Sequence, residues 1–330
     1  MQSSPVGSGG IALSVIIVNW NSCDFLRKCL RSIEINAGQL SLEVVVVDNA
    51  SFDGSGEMVA REFSWVKFIQ NDKNQGYAHA NNLGYQHSQG RNLLFLNPDT
   101  EVIGDALTRL TKVVETMPKA GVIGARLLNH DATLQTSCVQ AFPSILNQVL
   151  DFDAFRHRFP KSSLWGNGAI FESHKQPVVV EGISGACMAI KRSVFESVNL
   201  FSTEYFMYSE DLDLCYKTAR AGWSNYYVSD AVVMHYGGRS SNSKPESNFS
   251  TVMMRESLQK FFRIRKGRLH AFAYRLAMGL AAVCRVTIIG VMVLVSLKTP
   301  RRASLGAAFS KWVGVLRWSV GLEGWAKTPA

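Results

Sequence analysis

Short apolar runs recur in the first part of the chain, at residues 13–18, 42–47 and 93–96. Each run consists of β-branched or large aliphatic residues, which is typical of strands buried on both faces of a parallel sheet. Stretches that predict helices lie between and after them, at residues 24–35, 54–63 and 77–89. This alternation predicts an α/β fold with a mixed, mostly parallel sheet flanked by helices.

The pattern changes after Gly124. Residues 142–176 mix aromatic, glycine, proline and basic residues without a period, which predicts a long loop region. Two further strands, a helix that Gly222 ends and a last strand are predicted beyond it, followed by a Gly- and Ser-rich loop. These elements lie at residues 178–180, 186–190, 210–221 and 226–234.

The tail, residues 250–330, has a helical pattern of a different kind. A basic segment at 255–268 precedes an apolar stretch at 276–297 that is about long enough to cross a bilayer. Arg285 interrupts this stretch, and a charge at the bilayer centre is costly. Basic residues follow together with tryptophans, namely Trp312, Trp318 and Trp325, as at a membrane interface. We expect the tail to lie on a membrane surface; a soluble helical cap or an oligomer interface is the alternative.

The formal net charge is +9, and the basic residues are concentrated in the tail. This balance favours anionic partners such as phosphorylated substrates or acidic lipids. No nucleic-acid-binding motif accompanies the charge, so we predict no nucleic-acid partner. The six cysteines lack zinc-site spacing and predict free thiols in a reducing compartment.

Polar residues stand where the predicted strands end. They are Asn19 and Asn21 after the first strand, Asp48 and Ser51 after the second, and Asn97 and Asp99 after the strand at 93–96. Ligands bind beyond the carboxyl ends of the strands in an open parallel sheet, so these side chains predict a binding site. Asp48 can accept hydrogen bonds from a ribose or a base, although an Asx turn would use the same carboxylate. Asp53 is better explained as a helix cap.

Gly76 stands at the predicted start of the helix that contains Asn81. Free N–H groups at a helix start attract phosphate, although a plain helix cap explains this glycine equally well. Neither a P-loop nor a G-x-G-x-x-G sequence after the first strand occurs. Their absence argues against a dinucleotide-dependent dehydrogenase.

Asp99 and His235 each follow a predicted strand. A carboxylate and an imidazole can hold an ion such as Mg²⁺ or Mn²⁺, although turn aspartates and structural histidines are common. Three acidic residues crowd the start of a later helix, namely Glu210, Asp211 and Asp213. The helix dipole alone would favour them there. The apolar and aromatic residues just before them, at 205–208, can also raise a carboxylate pKa toward general-base use.

Seven stretches together resemble family 2 glycosyltransferases with the GT-A fold, especially bacterial rhamnosyltransferase-like members. The stretches are SVIIVNWN, VVVVDNASFDGS, NQGYAHANNLG, LFLNPDT, GACMAIKRSVFE, MYSEDLDLCYKTARAGW and VMHYGGRS. They occur in the family's order and cover about residues 13–240. The resemblance implies an inverting, metal-dependent glycosyltransferase that uses Mg²⁺ or Mn²⁺. It favours dTDP-L-rhamnose as the donor and a lipid-linked or cell-envelope glycan as the acceptor.

The resemblance also implies roles for single residues. Asp211 corresponds to the general base, with Glu210 beside it, and His235 to a distal metal ligand. Asp99 stands in the position of the family's D-x-D sequence, whose first acid is replaced here by Asn97, so the metal would have fewer carboxylate ligands. The residues assigned to the nucleotide sugar are Asn19, Asn21, Asp48, Ser51, Gly76, Asn81, Asn97, Asp99 and Arg239.

The expected organisation is a flexible leader at 1–12, a catalytic domain at 13–249 and the helical tail at 250–330. Within the catalytic domain, residues 13–125 would bind the nucleotide sugar and residues 126–249 would form the acceptor side. We expect a cytoplasmic protein, peripheral at the inner face of a bacterial plasma membrane. Homo-oligomerisation is left open.

Two other functions compete with this interpretation. A nucleotidyltransferase shares the sheet and the metal carboxylates, but it normally carries a Gly-rich, basic triphosphate loop near the first strand. The stretch NWNSCDF has no such loop. A non-catalytic nucleotide-sugar-binding partner is the second alternative, but it has no need of Asp211 and His235.

Overall fold

The computed structural model of the chain describes residues 10–172, 176–237, 248–295 and 301–327. Nearly all of the predicted leader lies outside these residues. The described chain forms two compact units. The first consists of the described parts of Met1–Phe142, Pro160–Thr203 and Glu210–Ser240. The second consists of those of Pro143–Phe159, Glu204–Ser209 and Ser241–Ala330.

The strands all belong to the first unit. They are β1 (Leu13–Asn19), β2 (Leu42–Asp48), β3 (Lys67–Gln70), β4 (Asn92–Leu96), β5 (Thr100–Ile103), β6 (Ala120–Leu128), β7 (Val139–Gln140), β8 (Val178–Val180), β9 (Gly182–Ile183), β10 (Cys187–Lys191) and β11 (Ser224–His235). The main sheet has the order β3-β2-β1-β4-β10-β6-β11-β5, and β8 pairs with β11. The strands β3, β2, β1 and β4 are parallel, whereas β10 is antiparallel to both of its neighbours. The predicted mixed α/β sheet is confirmed.

The helices are α1 (Cys23–Asn36), α2 (Ser55–Glu62), α3 (Tyr77–Gln86), α4 (Ala106–Thr116), α5 (Ile145–Leu150), α6 (Asp153–Arg158), α7 (Arg192–Ser197), α8 (Glu210–Arg220), α9 (Phe249–Lys266), α10 (Arg268–Val295) and α11 (Arg301–Ser319). The second unit contains α5, α6 and α9 to α11, and the others belong to the first unit. A short 3₁₀ turn, Gly324–Lys327, follows α11.

The sheet core explains why the apolar runs became strands. The central residues of β1 and β2 are buried, as expected for strands covered on both faces. Helix α3 approaches β1 so closely that a Cβ atom added at Gly84 would lie 2.5 Å from Cγ2 of Ile16. Only glycine fits at that position, because real Cβ atoms do not pack this closely. The packing of α3 fixes the place of the loop that leads into it.

Two features of the first 176 residues differ from the sequence-based expectation. The edge strands β3 and β5 were not foreseen, because each has four residues and is partly exposed. The region 142–176 was expected to be a loop, but it contains the six-residue helices α5 and α6. Helices this short span fewer than two turns and show no recognisable period.

The second unit has its own apolar core. It includes Trp312 and Trp318, which are 8% and 1% exposed. The indole Nε1 of Trp318 donates to Oε2 of Glu256 at 2.9 Å. The expectation that these two tryptophans lie at a membrane interface is therefore wrong, because their side chains are enclosed by neighbouring helices. Trp325 remains 40% exposed.

Helix α10 has a long apolar surface that no described residue covers. This exposed α10 face consists of Leu269, Phe272, Leu276, Leu280, Val283, Ile288, Val291, Met292, Leu294 and Val295. By length and composition alone, α10 could cross a membrane. Arg285 does not interrupt the face, because its guanidinium carbon lies 4.0 Å from the ring centroid of Trp312 and its Nη2 donates to the Val149 carbonyl. The charge is thus turned toward the interior of the second unit.

Candidate active site

The loops that follow β1, β2 and β4 gather at one edge of the sheet. Asn19 and Asp48 are register partners at the ends of β1 and β2, and β4 runs parallel to β1 on its other side. Parallel pairing places the carboxyl ends of these strands at the same edge, where ligands bind in open α/β sheets. The polar residues selected from the sequence therefore lie on neighbouring loops.

Asp48 holds this edge together. Its Oδ1 accepts hydrogen bonds from the Ser51 backbone N–H at 2.7 Å and from Gln70 Nε2 at 2.8 Å, and its Oδ2 accepts one from Asn19 Nδ2 at 2.8 Å. The side chain is fully buried. The bond to Ser51 is the turn-forming interaction that competed with ligand binding in the sequence. A carboxylate offers about four lone-pair sites, and the three hydrogen bonds above leave room for a further donor. Contact between Asp48 and a nucleotide stays a prediction.

Asn19 and Asn21 shape the same loops. Nδ2 of Asn19 also donates to Ser55 Oγ at 2.9 Å, whereas its Oδ1 is buried without a hydrogen-bond partner in the described chain. The Asn21 backbone N–H donates to Ser51 Oγ at 2.8 Å. The carboxylate of Asp53 accepts from the backbone N–H groups of Cys23 and Ser55, which supports the helix-capping interpretation. A hydrogen-bond donor on a ligand would satisfy this buried oxygen.

Gly76 begins α3 with a φ of +84°. Its N–H donates to Asn74 Oδ1 at 2.9 Å, so in this conformation it is not free to bind a phosphate. One turn later, Nδ2 of Asn81 donates to the Tyr77 carbonyl, and its Oδ1 is buried without a partner in the described residues. The Tyr77 hydroxyl donates to the carbonyl of Gly185 at 2.9 Å. The start of α3 is thereby attached to the loop before β10.

The acidic pair of α8 meets the same loop. The Gly185 N–H donates to Asp211 Oδ2 at 2.9 Å, and the Leu212 N–H donates to Oδ1 at 2.7 Å. Burial raises the pKa of Asp211 above its ordinary value, and these hydrogen bonds act in the opposite direction. Burial and the charge of Asp211 also raise the pKa of Glu210, whose Oε2 has no partner among the described residues.

Two backbone contacts connect Asp211 to the end of β4. Gly185 and Ala186 directly precede β10, which pairs with β4. The Asn97 N–H donates to the Ala186 carbonyl at 3.0 Å. Asp211 is therefore held through a two-residue backbone bridge to Asn97, and Asp99 follows two residues later. The structure thus brings the acidic pair and the strand-end loops to one place.

Asp99 and His235 also come together. The pairing of β11 with β5 places His235 opposite Thr100. His235 Nε2 then lies 3.4 Å from Asp99 Oδ1, and its Nδ1 lies 2.7 Å from Gln135 Oε1. The Gln135 amide is oriented by its own donation to Asn129 at 3.2 Å. Nδ1 of His235 is paired with Gln135, so Nε2 is the ring nitrogen that faces the carboxylate.

A positive charge stabilises this arrangement, either as a proton on Nε2 or as a cation bound by both side chains. A divalent cation fits this donor set, because carboxylate oxygen and imidazole nitrogen are both ligands of Mn²⁺ and related ions. The described residues contain no group of three or more His, Cys, Asp or Glu side chains that could hold a metal. A metal here would keep other coordination positions for water or substrate oxygens. Arg239, also assigned to the nucleotide sugar, lies outside the described residues.

Three contributors to the site were missed in the sequence. Tyr77 and Gly185 could have been selected from the sequence, because both belong to stretches that resemble the family. Gln135, which orients the histidine, stands in TLQTS and has no motif around it. The residues at 205–208, expected to form an apolar wall beside the acids, belong to the second unit.

Residues 14–198 match the model of the glycosyl transferase family 2, which is more than half of the chain. This chain belongs to glycosyl transferase family 2. It is an inverting glycosyltransferase that uses a nucleotide-sugar donor. The nucleotidyltransferase and non-catalytic alternatives are thereby set aside.

Curated relatives and solved structures are similar to this glycosyltransferase over most of its length. N-acetylglucosaminyl-diphospho-decaprenol L-rhamnosyltransferase of Mycobacterium tuberculosis is 27% identical over 72% of this chain and 80% of its own. Rhamnosyltransferase WbbL of Escherichia coli is 26% identical over 76% and 90%. The structure of mannosyltransferase PcManGT from Pyrobaculum calidifontis, in complex with GDP-Man and Mn²⁺, has a TM-score of 0.59 at 18% identity and covers 97% of this chain and 89% of that one. This likeness confirms the fold.

The raised pKa of Glu210 predicts how the stability of the glycosyltransferase depends on pH. A carboxyl with a higher pKa in the folded chain binds its proton more tightly there. Its contribution is therefore full below the ordinary glutamate pKa and is lost as the pH rises through the raised value. We expect the free energy of unfolding of the wild type to fall between pH 5.5 and pH 8.5. In Glu210→Gln this fall should be smaller by at least about 1 kcal/mol.

Urea denaturation at the two pH values measures this difference. Glu34→Gln changes an exposed glutamate and should follow the wild type. A parallel loss of stability in wild type and Glu210→Gln would show that Glu210 ionises at an ordinary pH.

Proposed function

We propose that this glycosyltransferase moves L-rhamnose from dTDP-L-rhamnose to a hydroxyl of a lipid-linked glycan at the cytoplasmic side of a membrane. The names of the relatives from M. tuberculosis and E. coli support the sugar, and the name of the first also supports a polyprenyl-diphosphate-linked acceptor. Residues 13–125 hold the donor, and residues 126–249 supply the acceptor side together with Asp211.

The observation that carries the catalytic proposal is the placement of Asp211. Two backbone N–H groups fix its carboxylate, and burial raises its pKa, which makes it a stronger base than an exposed aspartate. In the reaction, Asp211 accepts the proton of the acceptor hydroxyl. The hydroxyl oxygen forms a bond to the anomeric carbon from the side opposite the diphosphate. The bond between that carbon and the diphosphate oxygen breaks, and the configuration inverts.

Glu210 has a different part in this proposal. Its raised pKa keeps it protonated to a higher pH than an ordinary glutamate, so it adds less negative charge beside Asp211. Asp99 and His235 would hold the divalent cation, Mg²⁺ or Mn²⁺. A bound cation offsets the negative charge of the departing diphosphate.

Replacement of the base is the direct test. Asp211→Asn keeps the size of the side chain and removes its basicity, so turnover should fall about 100-fold or more while donor affinity changes little. Asp105→Asn, at an exposed aspartate paired with Arg109, should retain full turnover. The measurement is transfer of labelled sugar to a lipid-linked acceptor, with dTDP-L-rhamnose compared with UDP- and GDP-sugars.

The outcomes separate the parts of the proposal. Wild-type turnover in Asp211→Asn would remove this residue from the chemistry. A clear preference for a UDP- or GDP-sugar would overturn the choice of dTDP-L-rhamnose and leave the catalytic role of Asp211 intact.

The metal proposal has a second test. EDTA should abolish transfer, and Mg²⁺ or Mn²⁺ should restore it. Asp99→Ala and His235→Ala should each raise the Mn²⁺ concentration required for half-maximal activity by about tenfold or more, since outer partners alone typically cost 10- to 100-fold in affinity. Gln135→Ala should give a smaller increase, because it only orients the histidine. Full activity in a metal-free sample would contradict the proposal.

We also propose that the exposed α10 face contacts the acyl region of the membrane. Its apolar side chains run along a helix about 42 Å long, at 1.5 Å per residue. The opposite side of α10, including Tyr274 and Met278, is buried within the second unit. Its packing partners α9 and α11 carry exposed basic residues such as Arg263 and Lys311, which would be costly inside a bilayer, so we place α10 along the membrane rather than across it.

Paired substitutions test this contact. Leu276→Gln with Leu280→Gln places amides on the exposed α10 face, where both leucines are more than half exposed. Binding to phosphatidylcholine vesicles should fall about tenfold or more, because each inserted leucine contributes roughly 1.5–3 kcal/mol. Ile35→Gln with Ile103→Gln removes two exposed apolar side chains from the first unit and should have little effect. Equal flotation of all three proteins would refute the contact.

A further inference from the structure

The second unit contains a cavity of about 290 Å³ that the proposed reaction does not use. Six residues line this basic cavity, namely Glu256, Gln259, Lys260, Arg263, Arg275 and Lys327. Four of them are cations and only one is acidic. They come from α9, α10 and the 3₁₀ turn at the end of the described chain. All belong to one unit, so their arrangement depends on that unit alone.

The positive charges of the basic cavity outnumber the single carboxylate in its lining. None of the four cations forms an ion pair in the part of the chain that the structure describes. Glu256 is buried, and its Oε2 accepts the hydrogen bond of Trp318. Burial lowers the pKa of Lys260, the charges of Glu256 and Glu204 oppose this shift, and the charge of Arg263 adds to it. Unpaired cations at close range are costly, and a bound anion would relieve that cost.

Arg275 is held in place for such an anion. Its Nε donates to the Ser319 carbonyl at 2.9 Å, its Nη1 to Gln259 Oε1 at 3.1 Å and its Nη2 to the Trp318 carbonyl, and its guanidinium stacks 5.0 Å from the ring centroid of Trp318. The second N–H of each terminal nitrogen remains for an anion. Arg263 and Lys327 are exposed at the same cavity. A fixed guanidinium with two exposed cations beside it suits a phosphate group, which has several oxygens to share among them.

The exposed α10 face begins beside the basic cavity. Phe272 precedes Arg275 by three residues, so the two are neighbours on the surface of the helix. Phe272 is 64% exposed and belongs to the apolar face that continues to Val295. A cationic cavity beside an apolar helix face matches a molecule with a phosphate head and hydrocarbon chains.

We propose that the basic cavity binds the phosphate or diphosphate group of a membrane lipid whose hydrocarbon chains lie along the exposed α10 face. Two sources share this chemistry: an anionic phospholipid of the bilayer, and a polyprenyl diphosphate. The second source rests on the proposed lipid-linked acceptor, whereas the first does not. The site would retain the enzyme at membranes that contain such lipids.

Flotation with three kinds of vesicle tests the proposal. The vesicles contain phosphatidylcholine alone, phosphatidylcholine with phosphatidylglycerol, or phosphatidylcholine with a polyprenyl diphosphate. The full chain should bind at least one of the two supplemented vesicles about tenfold more tightly than phosphatidylcholine alone. The vesicle that gives the gain identifies the source of the phosphate.

Two variants of equal charge show whether the basic cavity is responsible. Arg263→Gln with Lys327→Gln should lose most of the gain. Arg268→Gln with Lys311→Gln removes two exposed cations of the same unit outside the basic cavity and should keep most of it. Equal losses in both variants, or no gain in the wild type, would overturn the site. Flotation requires no turnover, so a failure of the proposed reaction would leave this result readable.

Discussion

The active site depends on the hydrogen bonds that the backbone of Gly185 and Ala186 makes. The N–H of Gly185 binds Asp211, its carbonyl accepts from Tyr77, and the carbonyl of Ala186 accepts from Asn97. Three parts of the chain that are distant in sequence thus meet at one short segment between β9 and β10. Backbone groups have fixed positions once β10 has paired, so the sheet itself sets the location of the acidic pair. A change in the register of β10 would therefore also move the acidic pair.

Much of the first unit could be predicted because burial on both faces leaves a clear record in sequence. The runs that became β1, β2 and β4 are apolar throughout, and the polar residues after them do lie at one edge. The edge strands and the six-residue helices have no recognisable sequence pattern, because a short or partly exposed element shows no clear periodicity. The bond from Gln135 to His235 could not be foreseen, since the two residues are far apart in sequence and only the pairing of distant strands brings them together.

In the tail, the helices could be predicted from the sequence, but the direction of their side chains could not. Its composition correctly indicated helices, but composition cannot assign a side chain to the inner or the outer face of a helix cluster. Arg285 appeared to interrupt an apolar stretch and instead stacks on Trp312 inside the unit. Tryptophans beside basic residues are typical of a membrane interface, yet Trp312 and Trp318 belong to the core of the second unit. The apolar surface is supplied instead by leucine, valine, isoleucine, methionine and phenylalanine side chains of α10.

The second unit is assembled from three separate stretches of chain, because Pro143–Phe159 and Glu204–Ser209 join the C-terminal helices. This arrangement limits how such tails can be exchanged between related enzymes. A chimera joined at residue 250 would pair foreign helices with two host segments that pack on the native helices in this chain. Ser257 Oγ, for example, donates to the carbonyl of Met207 at 2.7 Å, and Arg255 Nη1 donates to Gln148 Oε1 at 3.0 Å. A transfer that preserves these contacts must include all three stretches, so the helical unit is a discontinuous module for protein engineering.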